Sequence, residues 1–589
     1  MRFFSQGEYF MIRRVARVSL LVVGVLLTCL STSVPAAQIT PQLMTVLERG
    51  AVAESVPIIV TFAAAEASEQ QARPMGRSER SAFVRTMKAR SQKRLEGIQD
   101  GLTQKHARQL RHLWLIDGAA LDATPAEIEQ LRQMPGIAAI TLDETFVMPA
   151  VQMSATDNPT WNIERIGAPD LWARGYRGEG ITIAVLDSGV NLAHPDLEGR
   201  WRGLAGDWFD PYGNSSSPYD FDSYHGTAVA SIVVGGSAGG SAIGVAPGAS
   251  IIAAKVFRDD GMASSSAIIE ILQWVLNPGD DPDRAPHIVN MSWGFEDNAD
   301  ECLETLSGTY LLRQALQTVR AAGIAVIAAA GNSGPNPYTS TSPANFPETV
   351  AAGATDGNNR IAVFSARGPS ACAGAGLFPD LVAPGLGVRA AGVGSSYRIV
   401  SGTSFASAHV AGAMALLMQA AAPLPVTEIE NLLTLSAADL GAGGADDTYG
   451  YGLVNLPAAW DRAELLQGLV VTPERLDFAV VTAGEVAREV IDVVNISDAA
   501  LHLEIDRAGI EEPFSLTENR CPDILEPEQA CRMTISFTPV ASGDFTGRMV
   551  VGDQNAAYPD VIIDLVGTGN MPPAKPALLF PEDGARLNG

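Results

Sequence analysis

Between residues 161 and 460 the chain repeats one pattern, a short apolar run followed by a helical stretch. The runs are 181–186 (ITIAVL), 251–256 (IIAAKV), 288–292 (IVNMS), 324–330 (IAVIAAA) and 349–352 (TVAA). A strand with one wet face alternates apolar and polar residues; these do not, so both faces must be covered. The stretches between them supply the cover, and the expected fold class is α/β, a parallel sheet with helices on both faces.

At 589 residues the chain exceeds what one core usually organises. Upstream, 56–62 reads as a strand and 81–102 as an amphipathic helix through Val84, Met87, Leu95 and Ile98. A strand over 113–121 follows, then a short helix opened at Thr124-Pro125 with Leu131 inward, and a strand over 137–142. Together these make a small α+β domain. From 469 to 569 the pattern changes to short alternating strands, among them 489–494, 531–537 and 561–566, which is a β-sandwich pattern. The expected boundaries are 1–37, a signal peptide; 38–150, the α+β domain; 151–465, the α/β domain; 468–570, the sandwich; and 571–589, a Pro-rich linker or truncated tail.

The first segment has an export layout. Arg13, Arg14 and Arg17 precede an apolar run over 18–30, and Val34-Pro35-Ala36-Ala37 offers small residues for cleavage, with Met11 as an alternative start. The run is short of the roughly 20 residues a membrane anchor needs. Removing it takes Cys29 and leaves Cys302, Cys372, Cys521 and Cys531, an even number in an oxidising compartment. Cys521 and Cys531 are the expected bridge because both fall in the sandwich; Cys302 with Cys372 is the weaker pairing. The formal charge is -26, and from residue 151 onward 23 Lys and Arg face 52 Asp and Glu. Such a surface repels nucleic acid and anionic membranes. Residues 73–111 invert the balance, with 11 basic against 3 acidic side chains, either as a solvated helix or as a face that docks on the acidic remainder.

Four residues in the α/β region invite chemistry. Asp187 ends the run 181–186, so its carboxylate emerges at the carboxyl edge of the sheet, where open α/β folds place ligands. His225 opens the small-residue stretch His225-Gly226-Thr227-Ala228-Val229-Ala230-Ser231, and its imidazole can exchange a proton near neutrality. Asn332, in Ala330-Gly331-Asn332-Ser333-Gly334, follows a buried strand with an amide able to donate to an oxyanion. Ser404 lies in Ser401-Gly402-Thr403-Ser404-Phe405-Ala406-Ser407, where a tight turn meets a helix and backbone N–H groups point outward. Alone, each is an ordinary turn or cap residue. Together, in the order Asp, His, Ser, they match one arrangement of the serine-hydrolase triad.

With these motifs the chain resembles the subtilisin-like serine proteases (subtilases, peptidase family S8). Further agreement comes from Val289-Asn290-Met291-Ser292-Trp293-Gly294, Phe364-Ser365-Ala366-Arg367-Gly368-Pro369, Asp380-Leu381-Val382-Ala383-Pro384-Gly385 and Gly450-Tyr451-Gly452-Leu453-Val454-Asn455. The resemblance implies Ser404 as nucleophile, His225 as general base and acid, Asp187 as its orienter, and Asn332 with the Ser404 N–H as oxyanion donors. It assigns substrate contacts to Ser292, Trp293 and Gly294 and to Ala330 and Gly331, with Trp293 standing where the family more often has leucine. Tyr224, Ala228 and Ala408 depart from the family's usual glycine, histidine and proline.

No cofactor is required by such a mechanism; structural calcium is compatible with the family, but no run here forms a known calcium loop, and Asp196 reads as a turn residue. The domain 38–150 resembles the family's inhibitor-type propeptides, so a self-cleavage between Asp143 and Trp161 is expected, with the propeptide as intramolecular inhibitor. The sandwich resembles Ig-like modules appended to exported bacterial proteins. The expected protein is a secreted, extracellular, monomeric endopeptidase acting on polypeptides, with no nucleic acid partner and no membrane span in the mature chain. The competing reading is a surface adhesion protein on an inactive protease scaffold; an acid-active relative with a glutamate base is disfavoured by His225.

Overall fold

The computed structural model describes residues 36–571 except 49–54, 64–76, 100–109, 149–151, 154–159, 222–223, 297–306, 373–375, 467, 498, 556–557 and 559. The expected signal segment and the Pro-rich tail lie outside the described residues, apart from a few residues at their inner ends.

The central sheet has seven strands, all parallel, in the order Leu381–Pro384, Val350–Thr355, Ala325–Ala329, Ile288–Met291, Thr182–Asp187, Ser250–Lys255 and Trp208–Phe209. The α/β expectation holds, and its five apolar runs are five of these strands. Successive residues of a strand face opposite sides. Ile183 and Val185 accordingly join one core with the helices His225–Val234 and Thr403–Ala420, while Ala184 and Leu186 join a second with Ser265–Leu276 and Gly308–Ala321. The chain leaves Thr182–Asp187 towards Ser250–Lys255 on one side and returns to Ile288–Met291 on the other. This is a switch in strand order, and it opens a crevice at the carboxyl ends, where Asp187 stands.

The N-terminal domain is a five-stranded sheet, Gln38–Ile39, Ile137–Leu142, Val56–Phe62, Gly118–Ala123 and Arg111–Leu113, with helices Pro41–Glu48, Arg77–Gln99 and Pro125–Arg132. Thr124 caps the last of these reciprocally with Glu127. One expectation fails: the strand predicted over 113–121 is broken. A 3-10 turn, Trp114–Ile116, and Asp117 at φ 52 split it into a hairpin. The cause is tertiary, because Trp114, Leu115 and Ile116 are buried against the second protease-domain core. The long helix divides its apolar stripe likewise, with Val84 and Met87 in that core and Leu95 in the domain's own. Beyond residue 465 two packed sheets of four and five strands enclose a separate core, and Cys521 and Cys531 form a disulfide there. Cys372 is also disulfide-bonded; the expected partner Cys302 lies outside the described residues.

Candidate active site

Asp187 is buried at its strand end. Its Oδ1 accepts a hydrogen bond from the Ser188 backbone N–H at 2.7 Å and stands 2.7 Å from His225 Nδ1. An aspartate oxygen there assigns the proton to Nδ1 and leaves Nε2 as the acceptor. The imidazole is buried at the start of its helix. Burial pushes its pKa down, but the charge and hydrogen bond of Asp187, assisted by Asp220, outweigh that and hold it above the ordinary histidine value. Gly226 has to be glycine: a Cβ there would stand 2.1 Å from the Gly189 carbonyl oxygen. That close approach brings the His225 helix against the Asp187 turn.

Ser404 sits in the first turn of Thr403–Ala420, a helix whose early N–H groups have no intrahelical acceptors. Its neighbour Phe405 places its ring 5.6 Å from the His225 ring, centroid to centroid. Asn332 follows the strand Ala325–Ala329, and its Oδ1 accepts from both the Thr403 backbone N–H at 2.9 Å and the Thr403 hydroxyl at 3.0 Å. Because the backbone group can only donate, the amide orientation is fixed and Nδ2 is the free end. Thr403 also accepts from the Gly331 N–H at 3.1 Å. Thr403 was not singled out by the sequence reading, although it stands inside the serine motif and is the residue that holds Asn332.

The remaining site residues surround this centre. Ser292 is buried, and its hydroxyl donates to the Ser404 carbonyl at 2.8 Å while receiving the Asn290 amide at 2.8 Å. Its side chain therefore braces the turn that carries Ser404. Trp293, expected as a subsite wall, is 2 % exposed; its indole N–H donates to the Leu186 carbonyl at 2.8 Å and its ring meets Phe257 edge-on. A buried indole needs an acceptor, and that bond turns the ring into the core. Gly294 and Gly331 both lie against Thr341, where any Cβ would come within 2.6 Å of its side chain, and Ala330 accepts the Thr341 hydroxyl through its carbonyl at 3.0 Å. Tyr224, the residue before His225, has φ 50.

The N-terminal domain packs on the helices covering the sheet. Arg111 pairs with Glu270 and with Asp143, both at 3.2 Å, and Asp143 accepts the Ser266 N–H at 2.9 Å at the start of its helix. Arg80 donates to the Ala322 carbonyl at 3.0 Å and Lys88 meets Asp280 at 3.3 Å. Thr145–Val147 then pairs antiparallel with Met262–Ser264, and Phe146 stacks on Phe295 with centroids 4.0 Å apart. Met148 donates its N–H to the Gly261 carbonyl at 2.9 Å. After the undescribed residues 149–151, Gln152–Met153 pairs antiparallel with Val400 and Ser401, next to the turn that carries Ser404.

For metals, no group of three or more His, Cys, Asp or Glu among the described residues comes together to hold one. Asp196 accepts the Ala238 N–H at 2.5 Å and the Tyr397 hydroxyl at 2.6 Å. No helix among the described residues is long and apolar enough to cross a membrane.

A buried carboxylate bonded to a histidine at one helix start, and a serine at another helix start braced beside an asparagine, define a serine hydrolase built for acyl transfer. The comparisons give the family. The Subtilase family profile matches residues 178–452. Subtilisin E of Bacillus subtilis (strain 168) is 30 % identical over 379 residues, covering 64 % of this chain and 88 % of that protein. Subtilisin BL of Lederbergia lenta is 38 % identical over 299 residues, 51 % of this chain and 97 % of that protein. Bacillopeptidase F of Bacillus subtilis (strain 168) is 35 % identical over 416 residues, 64 % of this chain, and the chain spans 28 % of that protein's length. The chain belongs to the subtilase family of serine endopeptidases.

Proposed function

We propose that the protein is a secreted, monomeric endopeptidase that hydrolyses polypeptides through an Asp187, His225, Ser404 triad and matures by cutting its own N-terminal domain free. In this mechanism Ser404 Oγ attacks the substrate carbonyl as His225 Nε2 takes its proton. The same nitrogen returns the proton to the leaving amine, and a water then repeats the sequence on the acyl-enzyme. Asp187 holds the tautomer and stabilises the imidazolium. Asn332 Nδ2 and the Ser404 N–H donate to the tetrahedral oxyanion, where preorganised donors act most strongly. The observation that carries the reading is the 2.7 Å bond from His225 Nδ1 to buried Asp187 at the carboxyl edge of the sheet, beside the Ser404 helix.

Maturation is supported by the course of the chain. The strand Thr145–Val147 lies on Met262–Ser264 as an extended substrate would, and Gln152–Met153 leaves along Val400 and Ser401. The cut is expected between Met148 and Gln152. Until it is made the cleft is occupied, so the uncut chain is its own inhibitor. The sandwich is read as an Ig-like spacer or binding module, and the first residues as a signal peptide.

The test is to express the chain with and without Ser404→Ala and to sequence the N-termini. The expected result is a new N-terminus between residues 149 and 152 in the parent only, with protein-substrate hydrolysis in the parent only. Processing and hydrolysis by the serine variant would refute the reading.

A further inference from the structure

We infer that Asp220 is a positioning residue for the triad, a second carboxylate that ties the Asp187 turn to the His225 helix through Ser188 and adds its charge to that of Asp187 at the imidazole. The inference rests on the triad reading above. Asp220 is no part of the motifs that reveal the triad, and its backbone bridges Gly189, two residues beyond Asp187.

Its two oxygens are used on different elements. Oδ1 accepts the Ser188 hydroxyl at 2.8 Å; Oδ2 accepts the Thr227 N–H at 2.9 Å and the Thr227 hydroxyl at 2.6 Å. Ser188 follows Asp187 directly, and Thr227 is the third residue of the His225 helix. The Ser188 oxygen in turn accepts the Gly226 N–H at 2.8 Å, one residue beyond the imidazole. The result is a closed loop of bonds between the two catalytic elements. It satisfies two of the helix's first N–H groups, which otherwise lack partners, and it presents negative charge at a helix N-terminus, the favourable end of the dipole. The turn is held from the far side by Lys255, fully buried on the neighbouring strand, whose ammonium donates to the Ser188 carbonyl at 2.9 Å.

The charges facing His225 are few. Asp187 and Asp220 favour the imidazolium, and Arg398, from the hairpin strand Tyr397–Ser401, opposes it. Lys255 faces the turn behind Asp187, and Asp222 lies outside the described residues. Burial raises the Asp220 carboxyl above the ordinary aspartate value, with the Thr227 and Ser188 bonds opposing the rise. Two effects follow from one carboxylate. Orientation affects turnover, and charge affects the pH at which His225 is neutral and able to act as base.

The two effects are separated by two variants, Asp220→Asn and Ser188→Ala, assayed as matured enzyme on a peptide p-nitroanilide from pH 5 to 9. For Asp220→Asn, loss of a negative charge two residues' reach from the imidazole, on Ser188 and Thr227, moves the acid limb of kcat/KM to lower pH by about half a unit, the scale of one part-screened charge in a protein medium. Ser188→Ala keeps the charge; it lowers kcat about tenfold, the cost of one lost positioning bond, with KM little changed and the acid limb in place. The rate of inactivation by phenylmethanesulfonyl fluoride against pH reads the same histidine without turnover and serves if a variant matures poorly. An Asp220→Asn limb within 0.2 unit of the parent overturns the charge role, and a Ser188→Ala kcat equal to the parent overturns the clamp. His225→Ala is the control for the underlying reading: should it remain active, the triad assignment fails, whatever Asp220 does.

Discussion

His409 lies five residues beyond Ser404 in the same helix and is completely buried. Its Nδ1 stands 2.6 Å from the Phe405 carbonyl oxygen, which can only accept, so Nδ1 carries the proton. Nε2 is then the acceptor for the Asn162 amide at 2.8 Å. The neutral ring is fully satisfied, and a second proton would set an N–H against the Asn162 N–H in a dry site. Burial accordingly pushes the pKa down to about 4, against an ordinary 6.5, with the Phe405 carbonyl opposing weakly. The folded state therefore refuses a proton that the unfolded chain takes up. The associated stability is fully present above about pH 6.5 and is lost as pH falls towards 4, because there the unfolded state binds more protons. The gap corresponds to about 3 kcal/mol at 1.36 kcal/mol per pH unit, and about 2 kcal/mol of it is gone by pH 5. The assay is urea unfolding of the Ser404→Ala protein, which cannot digest itself, with and without His409→Gln, from pH 4.5 to 8. The His409→Gln protein is the less stable at pH 8, and the difference between the two shrinks on acidification by about that 2 kcal/mol. A difference that stays constant across the range would refute the account of a buried neutral histidine.

Other consequences can be measured independently. Asn332→Ala is expected to lower kcat by about two to three orders of magnitude with a small change in KM, since its amide acts when charge develops on the substrate oxygen; a raised KM with kcat unchanged would place Asn332 in ground-state recognition instead. Arg111→Ala removes the cross-domain pair with part-buried Glu270, so the cut N-terminal domain should be held about 1 kcal/mol more weakly, the part-exposed guanidinium being screened by solvent, and should separate from the enzyme on gel filtration more readily than the parent pair. Raising salt should loosen the parent pair as well, through exposed contacts such as Lys88 with Asp280. Tyr224→Gly relieves a non-glycine residue at φ 50 and is expected to raise stability by about 1 kcal/mol, read as a higher melting temperature of the Ser404→Ala protein.

The catalytic residues were legible because each ends or begins an element that its neighbours announce. An apolar run delivers Asp187 to the sheet edge, and small-residue helices open at His225 and Ser404. What supports them was not legible. Asp220, Ser188 and Thr403 act through contacts between segments far apart in sequence; Ser188 and Thr403 stand beside catalytic candidates, but their partners are set only by the fold. The strand Leu381–Pro384 was quoted as a motif but not read as a strand, since four residues ending in proline give little period. The broken strand at Trp114–Ile116 shows the same limit. Its apolar residues fit a strand, and the partner that turns them outward belongs to another domain.

The central claim is that Ser404 is the nucleophile, activated by His225. The direct measurement is intact-mass and peptide-map analysis of the matured enzyme after reaction with a fluorophosphonate. One equivalent of label on Ser404, absent after His225→Ala, is the predicted result; label on another residue, or label on Ser404 undiminished without His225, would contradict it.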